Sequence, residues 1–231
     1  MRHSKNNGEI KMRLIAFVGP KTCGKDTCAA IAAHAGRSMG KISFAGPLKF
    51  ICSNAFNILP STFEHHVLKE VKKEVVLTLE TLSEILDGMY NFLPFTPTED
   101  EAIQAHFLRF AGTILHSPRH ILQFVGTELI RAFKPSWHCE AAFSEMNCRR
   151  LGIEKDEVYC VTDCRFLNEY EFLNKHDTTF FYVERLEAEV MLNMATHRSE
   201  LEILEVRKLI PNVIKNNGSL LDLRHSVLEV L

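Results

Sequence analysis

A short segment near the N-terminus, FVGPKTCGKDT at positions 17–27, constrains the fold more than any other part of the chain. The apolar run RLIAFV precedes its glycines and DTCAAIAAHA follows them, so the sequence predicts a buried strand, a turn and a helix. Gly19 and Gly24 let backbone N–H groups turn inward, and the helix N-terminus adds partial positive charge. This context predicts a phosphate-binding loop with Lys25 reaching the outer phosphates. A glycine-rich turn of purely structural use is the alternative.

The loop departs from the usual pattern directly after its lysine. Asp26 stands where a serine or threonine normally holds Mg²⁺, and Thr27 follows it. A carboxylate can bind the metal directly or through water, and the threonine hydroxyl can contact an inner phosphate. We therefore expect a metal site here with a changed set of ligands, formed by Asp26 and Thr27.

Short apolar runs with strand character recur along the chain and are separated by helical patterns. They are KISFA (41–45), VYCVTD (158–163), TTFFYVE (178–184) and NVIKN (212–216). This alternation predicts an α/β fold with a doubly wound parallel sheet.

The middle of the chain, about 46–150, has almost no strand signal and is predicted to be a helical insertion. Ser61 and Glu64 resemble a capping box, and Ser117 before Pro118 predicts a helix start. Apolar residues recur at helical spacing over 67–89. These helices are either core helices alone or a cap over the carboxyl edge of the sheet, where open α/β sheets bind ligands.

Length and charge bound the possible partners. The chain has 231 residues, 46% of them hydrophobic, which suits one domain with an elaborated insertion. Its 27 basic and 29 acidic residues create no global field for a nucleic-acid backbone, so a small anionic ligand is expected instead. Residues 1–11 are polar and predict a disordered extension before a single domain over 12–231.

The sequence also predicts a soluble, cytoplasmic protein, in the host cytoplasm if its source is viral. No apolar run approaches the length of a membrane span, and the N-terminus lacks the apolar middle of a secretory signal. The seven cysteines include no CxxC pair, so reduced thiols are expected and a structural zinc site is not.

A second group of charged residues follows the predicted strand VYCVTD. Asp163 ends the strand and Arg165 lies two residues later, where both would project over the carboxyl edge of the sheet. Asp163 suits Mg²⁺ and Arg165 suits a phosphate, although a helix cap and a surface charge are the structural alternatives.

Two phosphates brought together need compensating cations. At about 4 Å and an effective dielectric constant of 20, each pair of like charges costs roughly 4 kcal/mol. The candidate cations outside the loop are Lys49, Arg119, Arg131, Arg165, Arg185 and Arg198.

Several blocks together resemble the phage-type deoxynucleoside monophosphate kinases, which belong to the P-loop nucleoside monophosphate kinase superfamily. The matching blocks are FVGPKTCGKDT (17–27), FAGPLK (44–49), SPRHILQFVGTELI (117–130) with downstream Trp137, VTDCRFLNEYE (161–171), VERLEAE (183–189), THRSE (196–200) and NNGSLLDL (216–223). They occur in the family's order, and GKDT is the family's own form of the loop. The resemblance implies a three-layer P-loop kinase fold with a five-stranded parallel sheet in the order 2-3-1-4-5.

The resemblance also implies a reaction, in which the γ-phosphoryl group of ATP passes to a deoxynucleoside 5′-monophosphate with Mg²⁺ as cofactor. The expected acceptors are dGMP, dTMP or a modified dCMP, with no nucleic-acid or membrane partner, and a homodimer is compatible with the pattern.

Residue roles follow from the same resemblance. The catalytic residues would be Lys25, Asp163, Arg165, Arg119 and Arg185. ATP would contact Gly19, Lys21, Cys23, Gly24, Lys25, Asp26 and Thr27, with Asn216, Asn217 and Gly218 near the adenine. The acceptor would contact Phe44, Lys49, Gln123, Gly126, Arg131, Trp137, His197 and Arg198. The metal ligands would be Asp26, Thr27 and Asp163, and residues 185–200 would form a lid.

Two other interpretations remain open. Phosphomevalonate kinases of animal type share a similar GKD loop, a GPLK-like stretch and a strand ending in Asp-x-Arg, but the GTELI helix and the NNGSL segment favour a deoxynucleotide kinase. A non-catalytic nucleotide-binding protein is the second alternative, and the presence of both Lys25 and Asp163 argues against it.

Overall fold

A computed structural model describes residues 13–35, 39–65, 67–150, 158–193 and 198–231. At 149–150, 193 and 198–200 it describes the backbone alone. The predicted extension 1–11, His197 and the side chain of Arg198 therefore lie outside the described part of the chain.

The chain divides into two compact units. Met1–Ile42 with Arg150–Leu231 form one, called the sheet unit here, and Ser43–Arg149 form the other, called the helical unit. The strands are β1 (Arg13–Val18), β2 (Met39–Ile42), β3 (Val75–Val76), β4 (Ile114–Leu115), β5 (Val158–Val161), β6 (Thr178–Glu184) and β7 (Val213–Lys215). The α-helices are α1 (Lys25–His34), α2 (Ala45–Ala55), α3 (Pro60–Glu64), α4 (Leu79–Phe92), α5 (Pro97–Leu108), α6 (Pro118–Phe124), α7 (Trp137–Arg150), α8 (Leu167–Asn174), α9 (Leu186–Asn193), α10 (Arg198–Leu209) and α11 (Leu220–Val230).

The sheet unit contains a five-stranded sheet in the order β2-β5-β1-β6-β7, and all its neighbours pair in parallel. Counted among themselves in chain order, these strands run 2-3-1-4-5. The predicted α/β class and the predicted strand order are confirmed, and the glycine loop joins the central strand β1 to α1.

The central strand β1 is buried from Leu14 to Val18, as its continuous apolar run predicts. Because side chains alternate along a strand, Ile15 and Phe17 point to the same face of the sheet. On that face they join a cluster with residues of α1 and α11, including Cys28 and Val227. The helix that begins at the glycine loop is thereby fixed against the sheet.

The helical unit has its own core, which α2, α4, α5, the α6 region and the start of α7 share. Ser117 caps α6 by accepting a hydrogen bond from the N–H of His120, as predicted. The prediction of a capping box at Ser61 is wrong. The helix α3 begins one residue earlier at Pro60, after Leu59, and Leu59 offers no side-chain cap.

The predicted helical run over 67–89 is also wrong in its first half. Val67 and Val71 are exposed around a 3-10 turn at Leu68–Glu70, and β3 pairs antiparallel with β4. Consecutive β-branched residues favour an extended backbone, and the helix starts only where Thr78 caps α4. In the part of the chain that the structure describes, no helix is long and apolar enough to cross a membrane.

Candidate functional site

The loop between β1 and α1 requires glycine at two positions. The φ angles of Gly19 and Gly24 are 151° and 104°, which L side chains rarely adopt. A Cβ atom on Gly19 would lie 2.7 Å from the carbonyl oxygen of Val183, and one on Gly24 would lie 2.4 Å from Nδ2 of Asn216. The tight curve of the predicted phosphate loop therefore depends on both glycines.

Lys25 folds back into this loop. The residue is 6% exposed, and Nζ donates hydrogen bonds to the carbonyl oxygens of Gly19 at 2.8 Å and Pro20 at 2.6 Å. Burial lowers the pKa of Lys25, the Cys23 thiol opposes that effect, and the positive charge of Arg165 adds to it. The positive charges of Lys25 and Arg165 therefore interact with each other in the sheet unit.

Asp26 joins three elements that are distant in sequence. Its Oδ1 accepts hydrogen bonds from Nζ of Lys41 at 3.0 Å and from Oγ1 of Thr162 at 2.8 Å. Burial raises the pKa of Asp26, but the bonds from Lys41 and Thr162 outweigh it, so the pKa is lowered overall. The carboxylate is thus held in its charged form at the carboxyl edge of β2 and β5.

Neither Lys41 nor Thr162 was predicted from the sequence as a partner of Asp26. Thr162 directly precedes Asp163 at the end of a predicted strand, which was a usable signal. Lys41 had no signal of its own, because an exposed lysine on an edge strand is common.

Asp163 and Arg165 are both half-buried in the segment after β5. Burial lowers the pKa of Lys41, but its bond to Asp26 and the negative charges of Asp26 and Asp163 raise it overall. Glu169 accepts hydrogen bonds from the N–H groups of Arg165 and Phe166 at the start of α8. The helix start is therefore capped by Glu169, while the Asp163 carboxylate acts on the same ammonium group as Asp26.

The segment after β7 braces the loop from the other side. Nδ2 of Asn216 donates to the carbonyl oxygen of Cys23 at 2.8 Å, and Oδ1 of Asn217 accepts from the N–H of Leu186 at 2.8 Å. Gly218 follows directly, before the capping box that starts α11. The structure thus gives Asn216 and Asn217, predicted near an adenine, contacts within the protein.

Three other predicted residues of the sheet unit lie at its surface. Lys21 and Thr27 are exposed on the loop and on the first turn of α1. Arg185 precedes α9 and pairs with Glu187 at 2.8 Å.

In the helical unit, two predicted acceptor-side cations are each paired with a glutamate. Nζ of Lys49 lies 2.7 Å from Oε1 of Glu64, and Nε of Arg119 pairs with Glu70. Phe44 is buried at the start of α2. Each ion pair therefore joins the helix that carries the cation to a neighbouring segment of the helical unit.

The segment VGTELIR forms a π-helix, Val125–Arg131, which directly follows Gln123 and Phe124 at the end of α6. Nε2 of His138 hydrogen-bonds the carbonyl oxygen of Gly126 at 3.0 Å, and Nε2 of His106 bonds that of Glu128 at 2.9 Å. Single π-helical turns often occur at functional sites. Two imidazole groups thus satisfy carbonyls of an uncommon backbone at the predicted acceptor helix.

Gly126 and Trp137 pack inside the helical unit. A Cβ atom on Gly126 would lie 2.8 Å from Cδ2 of Leu48. Trp137 is fully buried, makes an edge contact with Phe92, and its Nε1 has no hydrogen-bond partner among the described residues. Its predicted contact with an acceptor therefore stays a prediction.

The oxygen atoms around Asp26 fit a magnesium ion that arrives with a nucleotide. No group of three or more histidine, cysteine, aspartate or glutamate residues in the described ranges could hold a metal alone. Mg²⁺ in nucleotide sites commonly uses one or two carboxylates and takes further ligands from phosphates and water. Asp26 and Asp163 supply two such carboxylates, and Thr162 a neighbouring hydroxyl.

Comparisons with known proteins give likeness of fold at low identity. The sequence matches no protein-family model and no curated protein. Among solved structures, TT1252 from Thermus thermophilus is 18% identical, with a TM-score of 0.43, over 95% of this chain and 96% of that one. Dephospho-CoA kinase from Campylobacter jejuni is 17% identical, with a TM-score of 0.37, over 95% of each chain. At this level neither structure says anything about the substrate of this protein.

Proposed function

We propose that the protein is a kinase that transfers the γ-phosphoryl group of ATP to a small phosphorylated acceptor. The observation that carries this proposal is the glycine loop with Lys25 buried inside it, at the end of the central strand. Backbone N–H groups, a helix N-terminus and a lysine are the groups that bind the β- and γ-phosphates in such loops.

The residues of the chain would act mainly by positioning and by neutralising charge, because phosphoryl transfer needs little covalent help from the protein. Lys25 would bind the outer phosphates. Asp26 and Asp163 would hold Mg²⁺, which would supply positive charge against the phosphates. Arg165, whose charge acts on Lys25, would offset the charge that develops on the transferred group.

We further propose that the acceptor is a deoxynucleoside 5′-monophosphate. The support is the ordered set of blocks that resembles the deoxynucleoside monophosphate kinases, above all GTELI and NNGSL. Lys49 and Arg119 in the helical unit suit an acceptor phosphate, and each now pairs with a carboxylate that an anion could replace. Phosphomevalonate is the second candidate acceptor, since its kinases share the GKD loop and the Asp-x-Arg strand end.

The test is a screen for ADP production from MgATP with single acceptors. The acceptors are the common deoxynucleoside and ribonucleoside monophosphates and phosphomevalonate. We expect turnover with dGMP or dTMP and little with phosphomevalonate. If neither dGMP nor dTMP is phosphorylated, a modified dCMP is tested as well.

Two outcomes would contradict the proposal in different ways. Turnover with phosphomevalonate alone would contradict the proposed acceptor but support the proposed kinase activity. ATP binding without turnover on any acceptor would favour a non-catalytic nucleotide-binding protein.

A further inference from the structure

Lys41 has a role that the loop motif does not supply. It lies on β2, an edge strand of the sheet, opposite Cys160 of β5. From there its Nζ reaches Asp26 Oδ1 at 3.0 Å, on the first turn of α1. A lysine of β2, which is not part of the loop, therefore reaches the carboxylate that stands in the metal-binding position of the loop.

The contact is fixed from the carboxylate side. Thr162 is 5% exposed and donates its hydroxyl to the same oxygen of Asp26 at 2.8 Å. The negative charge of Asp163, the next residue, also acts on Lys41. One ammonium group thus bonds one of the two carboxylates that the proposed function assigns to Mg²⁺ and experiences the negative charge of the other.

Stability alone does not explain this arrangement. The side chains of Lys41 and Asp26 are 60% and 77% exposed. Ion pairs at such exposed positions contribute little to folding, because water and salt screen them. The placement matters more for electrostatics at the site, because an ammonium group and a divalent cation repel each other at contact distances.

We propose that Lys41 is a tethered counter-cation of the metal site, which makes the binding of Mg²⁺ depend on the binding of a nucleotide. This inference rests on the proposed nucleotide function and adds a coupling to it. Without nucleotide, Lys41 neutralises Asp26 and weakens metal binding there. With nucleotide, the phosphates supply negative charge for the ammonium group and the metal together.

The coupling is reciprocal. If a nucleotide strengthens metal binding by some factor, the metal must strengthen nucleotide binding by the same factor. Lys41 would keep the affinity of the site for a metal ion low until ATP arrives. In its absence, metal and nucleotide should bind more independently.

The experiment measures metal binding directly, with Mn²⁺ as a paramagnetic substitute for Mg²⁺. Free Mn²⁺ is counted by electron paramagnetic resonance in nucleotide-free wild type, Lys41→Met and Lys41→Arg. Lys208→Met is the matched control, because Lys208 is also an exposed lysine paired with a carboxylate, Glu205. ADP affinity with and without Mg²⁺ is then measured by calorimetry for each protein.

We expect Lys41→Met to bind Mn²⁺ about tenfold more tightly than wild type, since a neighbouring positive charge is gone. The factor by which Mg²⁺ strengthens ADP binding should fall in that variant. Lys41→Arg, which keeps the charge, and Lys208→Met should resemble wild type.

Unchanged or weaker Mn²⁺ binding in Lys41→Met would overturn the inference. Wild-type protein that binds no ADP at all, with or without Mg²⁺, would instead overturn the proposed nucleotide function. The two failures are therefore distinguishable in the same set of measurements.

Discussion

The two units build their candidate sites in different ways. In the sheet unit, Asp26 is held by Lys41 of β2 and by Thr162 directly after β5, and Asn216, directly after β7, bonds the loop. In the helical unit, Lys49 and Arg119 pair with glutamates of neighbouring segments. The part-buried hydrogen bonds of Thr162 and Asn216 therefore fix the loop, whereas the helical unit holds its cations by ion pairs with exposed carboxylates. An incoming anion could displace such carboxylates at small cost.

The largest effect should come from the lysine inside the loop. Lys25→Met should lower kcat at least about a hundredfold, because a cation aimed at the transferring phosphates is lost. The fold should survive, since methionine can fill the same space, and thermal unfolding and circular dichroism check this. Lys208→Met is the control for the loss of a lysine elsewhere in the sheet unit. Near-normal turnover in folded Lys25→Met protein would remove the loop from the mechanism.

The glycines offer a matched pair across the two units. Gly24→Ala should destabilise the protein by about 3 kcal/mol, since a positive φ and a contact 2.4 Å from Asn216 Nδ2 act together. Gly112 has a φ of 85°, and a Cβ atom added there would meet no other atom within 4 Å. Gly112→Ala should therefore cost only the backbone strain, about 1 kcal/mol. Chemical denaturation of both variants measures the difference, and equal costs would contradict the role of Asn216 as a brace.

The sheet unit was the more predictable of the two. The strands β1 and β6 match their predicted bounds. A short, continuous apolar run that ends at glycine or charged residues is typical of a buried strand. The remaining strands of the sheet begin or end within a few residues of prediction. The glycine spacing then placed Lys25 and Asp26 correctly at the loop and helix start.

The helical unit was less predictable, for a physical reason. Apolar residues near 67–76 match a helical period and a β-branched strand equally well, and tertiary pairing of Val75 with Leu115 decides the outcome. The π-helix also has no local sequence signal, since its carbonyls are satisfied by His106 and His138 from other helices. Lys41 was missed in the sheet unit for the same reason, because its partner lies in another element.

The stability of the protein should depend on pH through His138, the buried histidine of the helical unit. Burial lowers the pKa of His138 to about 4, and the nearby charge of Arg131 acts in the same direction. In the unfolded chain this histidine has an ordinary pKa near 6.5. Between about pH 4 and 6.5 the unfolded chain therefore binds a proton there that the folded protein does not bind. Stability is therefore full above about pH 7 and falls as the pH drops toward 4, by about 2 kcal/mol between pH 7.5 and 5.

The matched variant for that titration is His138→Gln. Glutamine can still donate a hydrogen bond to the carbonyl oxygen of Gly126, but it does not titrate. Urea unfolding at several pH values should give a flatter profile for the variant than for wild type. Parallel profiles would mean that His138 already carries its proton or is not buried.

The smallest effect should come from the exposed pair in the helical unit. Glu70→Gln removes the charge that holds Arg119, and their side chains are 56% and 32% exposed. Stability should fall by less than about 1 kcal/mol, as for other partly exposed ion pairs. If Arg119 serves an acceptor phosphate, the KM for the acceptor should fall by a factor of about two or less while the KM for ATP stays constant. A changed ATP KM would place Arg119 on the donor side instead, and a large loss of stability would make Glu70 part of the framework of the helical unit.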